Sequence, residues 1–304
     1  MLGSGAFGAV QRGTLYERVP VAIKMLQLGS MPVESFIQEA RMMHQLSHPN
    51  IVQILGVVTR GGGPTLLISE YMEKGSLNSY LKANRGALSP TFFLFAASDD
   101  VCSENKIQSC RVVSTFLLIY FSQHSQVAAG CEYLEKKSVV HCDLRTANVL
   151  LDEDLIAKVA DFGMAGFREH LTNDMSPLPM RWTAPEAYNL RQFSSKSDVF
   201  SFSVLLWELV TYGASPYAEI AENLHAFHKV CGGLRMRNPA GEGLATWCPK
   251  KLYELMAECW NMNAVDRPAF GDIKNRLNHL LSQMLYGKDC SADRDFASDG
   301  ARGK

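Results

Sequence analysis

The chain has 304 residues, enough for one two-lobed domain or two small ones, and 47% apolar with 20% charged residues is an ordinary balance for a globular protein. A formal net charge of −1 gives no basis for expecting nucleic acid or an anionic membrane as a partner. The longest apolar run, residues 112–121, is interrupted by Ser114 and Thr115 and is too short to span a bilayer. Eight cysteines form no C-x-x-C pair, so reduced thiols and a cytoplasmic setting are expected. Met1 leads into Leu2-Gly3 with no signal-peptide pattern.

In chain order, the first third reads as strands with one helix. Val21-Ala22-Ile23-Lys24 is a short β-rich run. Ser35 to Leu46 carries Phe36, Ala40 and Met43 at helical spacing, with Pro32 just ahead to start the helix. Ile51–Val58 and Leu66–Ile68 read as two further strands, joined by the turn Gly61-Gly62-Gly63-Pro64. From Gly75 onward helices dominate. Val199–Val210 is apolar almost all round and predicts a buried helix that Gly213 can close. The tail after Tyr286 is polar and is expected to be disordered.

Three groups of residues carry chemistry. Gly3, Gly5, Gly8 and Val10 form a G-x-G-x-x-G-x-V run, and glycines let a backbone turn tightly and approach phosphates. Alone it also fits a dinucleotide-binding turn, but here a hairpin follows rather than a helix. His141-Cys142-Asp143-Leu144-Arg145-Thr146-Ala147-Asn148 offers a base, Asp143, and a hard oxygen ligand, Asn148, with Asp161-Phe162-Gly163 beginning thirteen residues later. Pro179-Met180-Arg181-Trp182-Thr183-Ala184-Pro185-Glu186, Ser197-Asp198-Val199-Phe200-Ser201-Phe202 and Asp266-Arg267-Pro268 follow in order.

Together these motifs resemble a protein kinase, from residue 2 to about 282. Arg145 and Thr146 after the base, and the Pro179–Glu186 stretch, are similar to non-receptor tyrosine kinases of the Src, Csk and Tec type. The resemblance implies an α+β, bilobal fold: a β-rich N-lobe with one helix and the hinge over 1–72, a helical C-lobe over 73–282, and a disordered tail over 283–304. It implies transfer of the γ-phosphoryl group of Mg²⁺-bound ATP to tyrosine on protein substrates. Ser/Thr or dual specificity, and an impaired ATP-binding pseudokinase, stay open as alternatives. Lys24 would hold the α/β-phosphates and pair with Glu39. Leu2, Gly3, Gly5, Gly8, Val10, Ala22, Ser69, Glu70, Met72 and Leu150 would line the nucleotide site, with Ser69 guarding its depth and Glu70-Tyr71-Met72 as hinge. Asp143 would take the hydroxyl proton, Asn148 and Asp161 would hold Mg²⁺, Arg145 would stabilise charge near the base, and Arg267 would pair with Glu186. Phe200 and Ser203 depart from the family pattern and are expected to change packing only. The abrupt start at Leu2 leads to the expectation that N-terminal residues are lacking.

Two features depart further. Cys142 stands where most kinases have the arginine that bonds a phosphorylated loop residue, and residues 163–182 contain no tyrosine. Control independent of loop phosphorylation is expected, as in Csk-like kinases, with decay or a redox-sensing cysteine as rivals. Secondly, 43 residues separate Lys82 from Gln126, more than the family uses. Removing residues 98–125 joins Thr91–Ala97 to Gln126-Val127-Ala128-Ala129 as one amphipathic helix. That span is therefore expected to be an insertion, from a retained intron or a genuine extruded loop.

Overall fold

The computed structural model describes residues 3–5, 8–26, 33–59, 65–85, 122–167, 178–240 and 248–286. The first lobe is a five-stranded antiparallel sheet of β1 (Gly3–Gly5), β2 (Gly8–Leu15), β3 (Val19–Leu26), β4 (Ile54–Val58) and β5 (Leu66–Glu70), in the order β1-β2-β3-β5-β4. Gly5 pairs with Gly8, so the glycine run is a hairpin tip, as the sequence predicts. Helix α1 covers Val33–His44 and begins directly after Pro32, two residues earlier than its apolar spacing suggests.

The strand expected from Ile51 starts instead at Ile54, and β5 continues to Glu70. Residues 50–52 have another use. Asn50 O accepts from Val159 N and Val52 N donates to Val159 O, both at 2.9 Å, so this segment is stitched to the second lobe.

That lobe opens with β6 (Gly75–Ser76) and α2 (Leu77–Ala83), capped by Ser76, whose hydroxyl accepts from Ser79 N. Residues 122–136 form α3. Residues 122–125, assigned from sequence to the insertion, thus belong to this helix, while the rest of 98–125 lies outside the described residues. Gly130 lets α3 pack against the 50–52 crossing, since a Cβ there would lie 2.7 Å from Asn50 O. The Tyr133 hydroxyl accepts from Ser47 N at 3.0 Å and the ring stacks on His48, docking the end of α1 on α3.

Short strands β7 (Val139–Val140), β8 (Val149–Leu151), β9 (Ala157–Val159) and β10 (Gly166–Phe167) follow, with a 3₁₀ turn at Thr146–Asn148. β6, β8 and β9 make one small sheet, and β10 pairs with β7. Helices α4 (Pro185–Leu190), α5 (Ser195–Val210), α6 (Asn223–Cys231), α7 (Lys250–Cys259) and α8 (Phe270–Tyr286) complete the lobe.

α5 is its axis. A reciprocal Ser194/Ser197 capping box starts the helix, and every residue from Ser197 to Val210 is buried. Its end differs from expectation. Gly213 N donates to Glu208 O and Tyr212 N to Leu209 O, a Schellman closure in which Tyr212, at φ 56°, takes the first left-handed position and Gly213 the next. α8 reaches Tyr286, past the boundary expected at 282, and the remaining tail lies outside the described residues.

Candidate active site

Strand periodicity builds the nucleotide side. Val10 pairs with Lys24 across β2 and β3, and Ala22 pairs with Ser69 across β3 and β5, so all four share one face. Lys24 Nζ on that face lies 3.2 Å from Asp161 Oδ1, joining residues 137 positions apart. The expected Lys24–Glu39 pairing lies outside the described side chains, and Leu2 outside the described residues. Met72 packs with Val52 and Ala160, and Leu150 closes the same cluster from β8. Glu70 spends its carboxylate internally: Oε2 lies 2.6 Å from Lys158 Nζ and Oε1 accepts from Gln53 N at 2.8 Å.

The loop His141–Asn148 is hung from α5. Asp198 accepts from His141 N at 2.7 Å and from Cys142 N at 3.0 Å, and burial pushes its carboxyl up to about 7 against those two bonds. Asp143 N donates to His141 Nδ1, so Nε2 carries the proton toward Ala160 O. Burial holds this imidazole down to about 4, hence neutral. His141 also packs against Phe162, which is fully buried, while the neighbouring Asp161 stays 40% exposed at its side chain.

Asp143 is the centre. Asn148 Nδ2 donates to its Oδ2 at 2.7 Å and to its carbonyl at 2.9 Å. Arg145 Nη2 donates to Oδ2 at 3.1 Å, and Arg145 Nε lies 2.9 Å from Oδ1 as an ion pair. Burial raises the Asp143 carboxyl to about 6, with Arg145 and Asn148 opposing. For Asp161, partial burial also disfavours the charge, but Lys24, His141 and Arg145 together outweigh it and the carboxyl lies below its usual range. Cys142 and Asp161 adopt left-handed backbone at φ 68° and 61°, conformations costly for residues with a Cβ and held here by the packed loop. Cys142 is 9% exposed and packs with Val140, Met164 and Phe193. It fills space where a guanidinium would need water or an anion.

The donor set suits Mg²⁺. Asn148 commits its amide nitrogen to Asp143, which leaves the hard oxygen as the end available to a cation, and Asp161 is a partly exposed carboxylate. Beside the loop lies the Pro179–Glu186 segment. Trp182 and Thr183 both donate backbone N–H to Pro179 O, and Arg181 reaches Pro216 O, Tyr217 O and Ile220 O at 2.5–2.7 Å. Arg267 forks onto Glu186 at 2.6 and 3.0 Å, as the sequence predicts. Phe200 does more than pack, because the guanidinium groups of Arg235 and Arg267 lie 5.4 and 5.1 Å from its ring centre.

Sequence reasoning missed Glu208, Thr146 and Asn78. Glu208 accepts from Thr146 N, Thr146 Oγ1 and Trp182 Nε1, and Asn78 donates to Thr146 Oγ1. The one available signal was an acidic residue inside an apolar helix, which burial obliges to find donors.

The family model for protein tyrosine and serine/threonine kinases matches residues 1–277. The chain is 35% identical over 309 residues to the tyrosine-protein kinase transforming protein Abl of Abelson murine leukemia virus, covering 99% of this chain and 36% of that protein. It is 36% identical to tyrosine-protein kinase abl-1 of Caenorhabditis elegans, covering 92% of this chain and 20% of the other. With tyrosine-protein kinase SRK2 of Spongilla lacustris the identity is 38%, over 92% of this chain and 68% of that protein. The chain thus spans little more than a third of the viral Abl protein and less of abl-1. On this sequence match and this site geometry, the chain belongs to the protein tyrosine and serine/threonine kinase family.

Proposed function

We propose that the chain transfers the γ-phosphoryl group of Mg²⁺-bound ATP to tyrosine hydroxyls of protein substrates. The observation that carries this reading is that Lys24 of the first lobe pairs with Asp161 of the second, whose charge acts on Asp143, itself bonded to the Asn148 amide. Lys24 holds the phosphates, and the face shared by Val10, Ala22 and Ser69, with Met72 and Leu150 beyond, takes the base. Asp143 accepts the proton of the attacking hydroxyl while Arg145 steadies its charge. Asn148 and Asp161 would hold Mg²⁺, which supplies neutralisation of charge on the transferring group. Tyrosine specificity is supported by the names of the relatives and by the Arg145-Thr146 pair and Pro179–Glu186 platform.

The test is phosphoamino-acid analysis of a mixed peptide library, with Mg²⁺-dependent ADP release measured alongside. Phosphotyrosine that disappears in Asp143→Asn is expected. Phosphoserine and phosphothreonine alone would overturn the tyrosine assignment, and ADP release equal in both proteins would overturn the role of Asp143.

Activity independent of loop phosphorylation is part of the proposal. It is supported by a buried Cys142 in place of a loop-binding cation and by a loop without tyrosine. The rate before and after phosphatase treatment measures it.

A further inference from the structure

Glu208 is 2% exposed inside α5, an expensive place for a carboxylate unless donors surround it. Three uncharged donors do so. Oε2 accepts from Thr146 N at 3.0 Å and from Trp182 Nε1 at 2.9 Å, and Oε1 accepts from Thr146 Oγ1 at 2.8 Å. Burial raises this carboxyl above its usual range, and the Thr146 and Trp182 bonds oppose the rise.

The geometry has a direction. Thr146 immediately follows Arg145, and the Arg145 guanidinium lies 5.8 Å from the centre of the Trp182 ring while pairing with Asp143. Fixing Thr146 therefore fixes the backbone from which Arg145 departs, and fixing the indole fixes a surface beneath its guanidinium. α5 grips Trp182 a second time, through Ser201 Oγ donating to the Trp182 carbonyl at 2.8 Å. The Thr146 hydroxyl also accepts from Asn78 Nδ2 at 2.9 Å. One carboxylate thus ties α2, the catalytic loop and the peptide platform to the same helix.

We propose that Glu208 is a positioning residue for peptide phosphorylation: it holds the catalytic loop and Trp182 as one body, so that Arg145 stays between the platform and the base. The proposal rests on the phosphotransfer reading above. A carboxylate that merely stabilised the fold would weaken ATP and peptide use alike. One that aligns loop and platform should act on the peptide side.

The experiment varies ATP and a tyrosine peptide independently for the wild type, Glu208→Gln, Trp182→Phe and the double variant, with melting temperature as the folding control. Hydrogen bonds to a buried charge are worth enough that Glu208→Gln should lower kcat/KM for peptide by about tenfold, with KM for ATP within about twofold. Because Glu208→Gln removes the charge on the acceptor of the Trp182 Nε1 bond and Trp182→Phe removes its donor, the two losses overlap, and the double variant should be faster than the product of the single effects. A rise in KM for ATP matching the peptide effect, or losses that multiply, would overturn the assignment. Should Glu208→Gln not fold, Thr146→Val keeps the shape, removes the hydroxyl with its bonds to Glu208 and Asn78, and should show the same peptide-side loss at about threefold; equal loss on both substrates would again refute it. A wild type that phosphorylates no peptide refutes the phosphotransfer reading instead, a distinct result.

Discussion

Asp143 stands between opposed influences. Burial lifts its carboxyl to about 6, and Arg145, then Asn148, pull it back toward the charged form. The base works only unprotonated, so kcat/KM for peptide should be full well above pH 6, fall to half near about 6 and decline further as pH drops below it. Arg145→Leu removes the leading opposing charge, so the acid limb should move to higher pH. A limb that stays in place in a pH–rate profile would show that Arg145 does not tune the base. Lys24, Asp143, Asn148 and Asp161 were legible from sequence because few residue types can do their work and their spacing is short and ordered. Glu208 was not, because its partners lie 62 and 26 positions away and its neighbours are apolar.

At the scale of elements, α3 carries a conflict. Its buried stripe runs through positions 123, 124, 127, 128, 131 and 134, and the first two are Gln123 and His124, at 2% and 0% exposure. Gln123 Nε2 makes no hydrogen bond. In a chain lacking residues 98–125, Phe95 would stand at the position of Gln123 and Ala96 at that of His124, so the stripe would become apolar throughout. We propose on this register that the core is matched to Thr91–Ala97, and that 98–125 is an insertion.

An unpaired buried amide costs roughly 1–3 kcal/mol, and each kcal/mol moves the melting point of a domain this large by about 2–4 °C. Deleting 98–125 should therefore raise the melting temperature, and Gln123→Phe in the full chain should recover part of the gain. A deleted chain that melts at or below the full chain, by calorimetry, would refute the register. The join is a reading of local helical periodicity, and residues 91–97 lie outside the described residues. That residues 122–125 already complete the helix was not legible, because Gln123 and His124 break the apolar pattern.

Across the whole molecule, the lobes meet where Lys24 reaches Asp161 and where residues 50–52 bond to Val159. No cation at position 142 is offered to a phosphorylated loop, since that side chain is packed among Val140, Met164 and Phe193. Phosphatase-treated protein should keep its peptide phosphorylation rate, whereas a rate that collapses and returns on rephosphorylation would refute this mode of control.

The sequence by itself determined the two lobes, the glycine hairpin, the strand bearing Lys24 and the order of the candidate site residues. Those features follow from backbone sterics, periodicity and scarce chemical types at short or ordered spacing, whereas the Arg267–Glu186 pair, 81 positions apart, was implied by the family resemblance alone. Only the tertiary structure decided that residues 50–52 leave the expected strand so that Asn50 and Val52 bond Val159, that Phe200 carries two guanidinium groups, and that Glu208 binds loop and platform together. Each of those depends on how a buried polar group or an exposed ring face finds its partner across the fold, and burial is a property of the packed chain rather than of any stretch of it.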